Sequence, residues 1–282
     1  MLGLVVEGGA SRTVYSCGVM EALMEQNIRA DYFIGVSAGI AFGVSYCSGQ
    51  KDRNRKLIND YYVTSKYSGV HHMLDPHNRS FFNLDYDFRD IPNKHLFFDY
   101  KAFADFKGRC ISVLTDLETG KAVYPDMPRD DKDFKHLRAS CALPLLFPPI
   151  EIDGRKYMDG GIADSIPFRQ ALDEGCDKVI VILTRQRGYV KADEKAQWLI
   201  LHAFRDYPEF CELIKTRAER YNKQLEELTK LRNEGKVFVF YPKKELLVSR
   251  TEKDIAKLNR LYDYGYRHGM WAEDRLKEYL ER

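Results

Sequence analysis

This chain of 282 residues predicts an α/β fold in which helices cover both faces of a mostly parallel central sheet. Three observations carry that expectation. Short apolar runs such as Leu2-Gly-Leu-Val-Val6 and Lys178-Val-Ile-Val-Ile-Leu183 suit strands buried on both faces. Helical patterns follow these runs repeatedly, and strand–helix alternation builds a three-layer arrangement. Two strand–glycine loop–helix units also stand in succession at the N-terminal end, so both loops fall at one edge of a parallel sheet.

The first unit is Leu2–Val6, the loop Glu7-Gly8-Gly9-Ala10-Ser11-Arg12 and a helical pattern through Val19–Met24. The second is the strand Tyr32–Ile34, the turn Gly35-Val36-Ser37-Ala38-Gly39 and a helix from Ile40. Residues 61–100 are irregular and rich in aromatics, which reads as an insertion or cap that packs over the site and partly lines an acyl-chain channel. Its histidines, His71, His72 and His77 beside Asp75, lack metal-ligand spacing and read as loop residues. Arg109–Leu114 and Lys121–Tyr124 form an expected hairpin, and Phe134–Leu145 an expected helix. Ile150–Ile152 and Lys156–Met158 are strands joined by Asp153-Gly154, a strong two-residue turn signal. Beyond them come a helix at Phe168–Glu174, the strand Lys178–Leu183, a charged helical stretch over Ala192–Asn233, the strand Lys236–Tyr241 and an amphipathic helix from Thr251 to Leu280.

Lys and Arg number 44 against 42 acidic residues; a net charge of +2 gives no electrostatic case for a nucleic-acid partner. The six cysteines have no paired spacing and read as buried reduced thiols rather than a disulfide frame or zinc site. No signal peptide and no apolar run long enough for a membrane span is visible, so a soluble cytoplasmic protein is expected.

Gly35-Val36-Ser37-Ala38-Gly39 fits the nucleophile-elbow pattern, in which a sharp strand-to-helix turn exposes a strained serine at a helix N-terminus. The pattern is short, and a glycine-rich turn capped by serine is the competing reading. The Gly8-Gly9-Ala10 loop lacks both the dinucleotide fingerprint and the P-loop lysine, and as an oxyanion hole it would face Ser37. A serine needs a base. His202 sits on an apolar helical face and His268 on the last helix, neither at a strand end. Asp159 leaves a strand and precedes Gly160 and Gly161, which permit close approach of another loop. An aspartate at its ordinary pKa of about 3.9 is a weak base, and burial would strengthen it.

Four ordered blocks resemble the patatin-like phospholipase family: Glu7-Gly8-Gly9 to Arg12; Gly35-Val36-Ser37-Ala38-Gly39; Ala139-Ser140 with Ala142, Pro144 and Phe147-Pro148-Pro149; and Tyr157 with Asp159-Gly160-Gly161. The chain looks like a bacterial member. The resemblance implies a patatin-like three-layer α/β/α sandwich over residues 1–185, with 61–100 as its insertion and 186–282 as a C-terminal helical and β-α extension packed on the same domain. It also implies a cofactor-free and metal-free Ser–Asp dyad, Ser37 and Asp159, with oxyanion N–H groups from Gly8, Gly9 and Ala10. Arg12, Gly35, Gly39, Gly160 and Gly161 would support them. The implied substrate is a lipid or acyl ester, with room for transient contact with a membrane surface. This chain departs from the family at Ala10 and Thr13, where glycine is usual. Two further readings therefore stay open: a non-catalytic or narrowly selective lipid-binding protein, and a Ser–His–Asp hydrolase using His268.

Overall fold

The computed structural model describes residues 1–195 and 197–282. Eight strands join one sheet: β1 (Leu2–Val6), β2 (Tyr32–Val36), β3 (Arg109–Asp116), β4 (Ala122–Val123), β5 (Ile150–Ile152), β6 (Arg155–Asp159), β7 (Lys178–Ile182) and β8 (Val237–Phe240). Their order is β5-β6-β3-β2-β1-β7-β8, with β4 paired to β3 alone. The core β3-β2-β1-β7-β8 is parallel, and the β5–β6 hairpin runs antiparallel to β3 at one edge. The register Val6↔Gly35 and Val36↔Val113 brings the carboxyl ends of β1, β2 and β3 to the same edge. Asp159 pairs with Leu114, so the end of β6 also stays within reach of that edge.

Alternation along the strands fills both faces. Leu4, Val6 and Phe33 pack with residues of α1 (Val14–Glu25), α2 (Ala38–Cys47) and the C-terminal helices, whereas Val5, Ile34 and Val36 pack on the other face against Phe168, Ala171, Tyr221 and Leu228. The result is a three-layer α/β/α sandwich. Short helices α3 (Arg53–Leu57) and α4 (Tyr100–Asp105) flank the aromatic insertion, which itself forms wide helical turns over Ile58–Tyr62 and Tyr86–His95 and a tight one over Val70–Leu74.

Three expected helices change. The one read over Phe134–Leu145 is only α5 (Lys135–Ser140): Pro144 disfavours helical backbone before it, and Leu145 takes φ +68°. Helix α6 (Phe168–Asp173) follows the hairpin as read. The Ala192–Asn233 stretch is α7 (Gln197–Ala203) and α8 (Pro208–Asn233), with Pro208 occupying a first-turn position where it needs no hydrogen-bond acceptor. Ala196, within that stretch, lies outside the described residues. The final helix is α9 (Ile255–Trp271) and α10 (Glu273–Glu281), broken at Ala272. Helix α9 crosses α1 closely; a Cβ on Gly18 would stand 2.0 Å from Tyr262 O, and one on Gly265 2.0 Å from Tyr15 O. Together with β8 on the sheet edge, that crossing ties the chain beyond residue 236 to the sheet. No described helix is long and apolar enough to cross a membrane.

Candidate active site

Strand β2 delivers Ser37 directly onto the N-terminus of α2. Its backbone holds φ +54° and ψ −127°, a strained conformation for any residue with a side chain. Surrounding bonds hold it there. The Ser37 N–H donates to Ser140 Oγ at 2.9 Å, the Ser140 hydroxyl donates to Val113 O at 2.8 Å, and Ser37 O accepts from the N–H groups of Ile40 and Ala41 at 3.1 Å each. Ser140 thus fixes the elbow from α5; the sequence placed it in a motif without a task.

The loop after β1 lies against the elbow. A Cβ on Gly8 would stand 2.8 Å from Val36 O and 2.9 Å from the Ser37 Cβ, so only glycine permits this approach. Among the described residues, the backbone N–H groups of Gly8, Gly9 and Ala10 have no protein acceptor, although Ser11 N–H donates to Arg250 O and Arg12 N–H to Gly9 O. Ala10 takes φ +50°, the left-handed region glycine would enter freely. Glu7 anchors the loop from beneath. Its carboxylate accepts from Thr184 N–H at 2.6 Å, Thr184 Oγ1 at 2.9 Å and the Tyr221 hydroxyl at 2.6 Å, linking β1 to β7 and α8.

Asp159 caps the end of β6 and is 2% exposed. Its Oδ1 accepts from Gly161 N–H at 2.8 Å, its carbonyl accepts from the Thr115 hydroxyl at 2.8 Å, and its Oδ2 is buried without a partner. Burial pushes the carboxyl above the ordinary aspartate range, and the Ser37 hydroxyl, Arg217, Gly161 N–H and Arg250 pull it back. The hydroxyl is near enough to stabilise the charge, yet no bond of standard distance and angle closes between Ser37 and Asp159. Such contacts tighten when a substrate closes the site. Cys141, also beside Ser37, is kept a thiol by burial and by the Asp159 charge.

Ser37 belongs to two cavities at once. A polar cleft of about 630 Å³ contains Gly8, Gly9, Ala10, Ser37 and Asp159 together with Arg12, Arg185, Lys191, Arg217 and Arg250. An apolar cavity of about 840 Å³ runs from Ser37 and Ala38 past Tyr62, Tyr67, Phe82, Phe88, Phe98 and Phe147. Of the residues singled out from the sequence, Gly35 and Gly39 brace the elbow, Gly160 abuts Val113, and Gly161 lines the cleft. His268 is not with them. It bonds to the Tyr15 hydroxyl at 2.7 Å and packs between Tyr264 and Phe240, while His202 is exposed on α7. No histidine lines either cavity, so the Ser–His–Asp reading loses its base. The cations Arg185, Lys191, Arg217 and Arg250 had no sequence signal, because only the fold gathers them.

Comparison with known proteins is consistent with this geometry. YjjU of Escherichia coli K12, an uncharacterized protein, is 26% identical over 186 residues, covering 65% of this chain and 52% of that protein. Lysophospholipase NTE1 of Saccharomyces cerevisiae is 26% identical over 187 residues, covering 64% of this chain and 10% of that protein. The chain therefore spans about half the length of the first relative and a tenth of the second. The crystal structure of VipD from Legionella pneumophila shares the fold, with a TM-score of 0.53 at 14% identity over 97% of this chain and 66% of that one. Residues 207–281 match a domain of unknown function, DUF6363. The patatin-like phospholipase family model matches residues 4–172, which include both glycine loops, Ser37 and Asp159, and the chain belongs to that family.

Proposed function

We propose that the protein is a serine hydrolase of lipid or lysophospholipid carboxylic esters, working through Ser37 and Asp159. The observation that carries the reading is the place of Ser37: on a strained elbow, beside an unpaired buried carboxylate oxygen, between an apolar cavity and a polar cleft. An acyl chain in the cavity brings its ester carbonyl to Ser37. Asp159 Oδ2 takes the Ser37 proton as Oγ attacks, and the carbonyl oxygen becomes an oxyanion facing the free N–H groups of Gly8, Gly9 and Ala10. Collapse expels the alcohol, which recovers the proton from Asp159, and leaves an acyl-Ser37 ester. Water, deprotonated by the same carboxylate, then releases the fatty acid. The raised proton affinity of Asp159 makes this more favourable than it is for a solvated aspartate.

Fluorophosphonate labelling with p-nitrophenyl ester turnover tests the reading. Wild type should label and turn over, and Ser37→Ala should do neither. A wild type that does neither, or a Ser37→Ala variant that still hydrolyses, sinks it. The positive φ of Ala10 motivates a second reading, an acyl-binding protein without turnover; it predicts fatty-acid binding by a wild type that never labels.

A further inference from the structure

We propose that the polar cleft beside Ser37 is a subsite for a phosphate group carried on the alcohol side of the ester, selecting substrates with a net-negative headgroup. The inference rests on the ester-hydrolase reading. With an ester carbonyl at Ser37 and its acyl chain in the apolar cavity, the alcohol portion has the cleft as its remaining space.

The cleft brings together five cations from distant stretches of chain: Arg12, Arg185, Lys191, Arg217 and Arg250. Glu194 binds Arg217 at 2.6 Å and Arg250 at 3.4 Å. Both oxygens of Glu7 are taken up by Thr184 and Tyr221. Among the described residues, Arg12, Arg185 and Lys191 have no carboxylate within ion-pair distance, and Arg12 Nε is buried without any acceptor. A structural task explains Arg217, whose Nε donates to Gly161 O at 2.9 Å; it does not explain the other three. Their convergence is unfavourable as it stands. Burial and the charges of Arg185 and Arg250 lower the proton affinity of Arg12, and burial with Arg217 brings Lys191 down to about 8. An anion would relieve both, and a phosphate offers oxygens for several charge-assisted bonds at once.

The same geometry argues against a choline-type headgroup. A quaternary ammonium seeks open aromatic faces. Here Arg185 covers Tyr189 at 4.3 Å from the ring centroid, and Lys191 covers Tyr221 at 5.3 Å. The aromatic faces of the cleft are already occupied by the chain's own cations.

The test compares kcat/KM for an acylglycerophosphate, the matching acylglycerophosphocholine and the matching monoacylglycerol. Preference for the phosphate monoester should be about tenfold or more, the scale of hydrogen bonds to charged groups. The double variant Arg185→Gln/Lys191→Gln should lose that preference, while Arg187→Gln, outside the cleft, keeps it. A purely structural contribution would lower all three substrates together and leave their ratios unchanged, which overturns the proposal. Wild type that hydrolyses all three equally also overturns it and leaves the hydrolase reading standing. Titration of Ser37→Ala with hexanoylglycerophosphate, hexanoylglycerol and inorganic phosphate decides the matter independently of turnover. Binding of the first about tenfold tighter than either other ligand supports the subsite; equal binding of hexanoylglycerol refutes it, and equal binding of inorganic phosphate refutes the headgroup as its source. If wild type hydrolyses nothing, the hydrolase reading fails and this titration alone judges the subsite.

Discussion

On one side of Ser37 the chain gathers aromatic rings, and on the other it gathers guanidinium and ammonium groups. The two cavities differ in how they treat charge. The apolar cavity contains one carboxyl group and one guanidinium, and burial weighs on both. Burial pushes the Asp87 carboxyl well above the ordinary carboxylate range, with both oxygens unpaired, and Arg53 donates to Ser45 Oγ and Leu96 O beneath the Phe98 ring while its Nε has no partner. In the polar cleft Glu194 answers Arg217 and Arg250, while Arg12, Arg185 and Lys191 are left without a carboxylate among the described residues. Asp159 lines the cleft beside Ser37, its proton affinity raised by burial and drawn back by the Ser37 hydroxyl, Arg217 and Arg250. The proposed base would draw on both influences, and the proposed substrate, an acyl tail with an anionic head, on both cavities.

Removing the carboxylate beside Ser37 should have the largest effect. Asp159→Asn is expected to lower kcat for a p-nitrophenyl ester by about 10³-fold, the range for loss of a general base. The same change should raise Tm. A carboxyl whose folded pKa is raised contributes stability that is fully present below its unfolded value and is lost as pH rises through the folded one. At neutral pH the fold therefore bears the cost of the buried charge, and asparagine removes it. Calorimetry at pH 7 that shows a lower Tm would break the proposal that burial raises the basicity of Asp159.

The apolar side predicts a chain-length slope. Each methylene buried contributes about 0.8 kcal/mol, or about fourfold in kcat/KM. A p-nitrophenyl series from acetate to octanoate should climb at up to that rate in wild type. Ala41 lines this cavity, and Ala41→Phe should flatten the climb while acetate turnover persists. Equal slopes in both proteins would mean that the acyl chain lies elsewhere.

The charged side predicts a pH dependence that the apolar side lacks. Lys191 faces Arg217, Glu194, Arg250 and Glu7, and titrates at about 8. A phosphate monoester is already dianionic at pH 7, so between pH 7 and 9 the change is loss of the Lys191 proton. Preference for an anionic headgroup should decline by a few-fold over that interval, whereas the chain-length slope should not move. Lys191→Arg should hold the preference to higher pH. Parallel loss of slope and preference would point to unfolding or to Asp159, and would erase the distinction between the two sides.

The two sides also differed in how well they could be read from the chain. The elbow, the glycine loop, the Asp153-Gly154 hairpin and the strands are local patterns, set by neighbouring residues through turn chemistry and alternation, and they appear where expected. The aromatic wall comes largely from the irregular stretch around residues 61–100, where composition alone was suggestive. Apart from Arg12 in the glycine loop, the cationic wall carried no sequence signal. Arg12, Arg185, Lys191, Arg217 and Arg250 meet only because β7 lies beside β1, α8 packs over Gly161, and Arg250 O accepts from Ser11. Ser140 was similarly silent, since a hydroxyl that bridges Ser37 N–H and Val113 O has no spacing signature. Helix ends were misread where Pro208, Pro144 and Ala272 interrupt a continuing periodicity.

The smallest expected effect concerns Ala10, which with Ser37 and Leu143 lines both cavities and stands where the resemblance implies glycine. The Ala10 N–H has no acceptor among the described residues, and its backbone takes φ +50°. A left-handed backbone costs a residue with a Cβ roughly 1–2 kcal/mol, and glycine returns about 0.5–1 kcal/mol of that in lost chain entropy. Ala10→Gly should therefore stabilise the protein by about 1 kcal/mol or less, a rise in Tm of a few degrees. If the strained loop is already set for an oxyanion, the fluorophosphonate labelling rate should stay within about threefold of wild type, below 1 kcal/mol of transition-state stabilisation. A labelling rate tenfold higher in the glycine variant would mean that Ala10 restrains the reaction, and would favour the acyl-binding reading over turnover as the selected property of this loop.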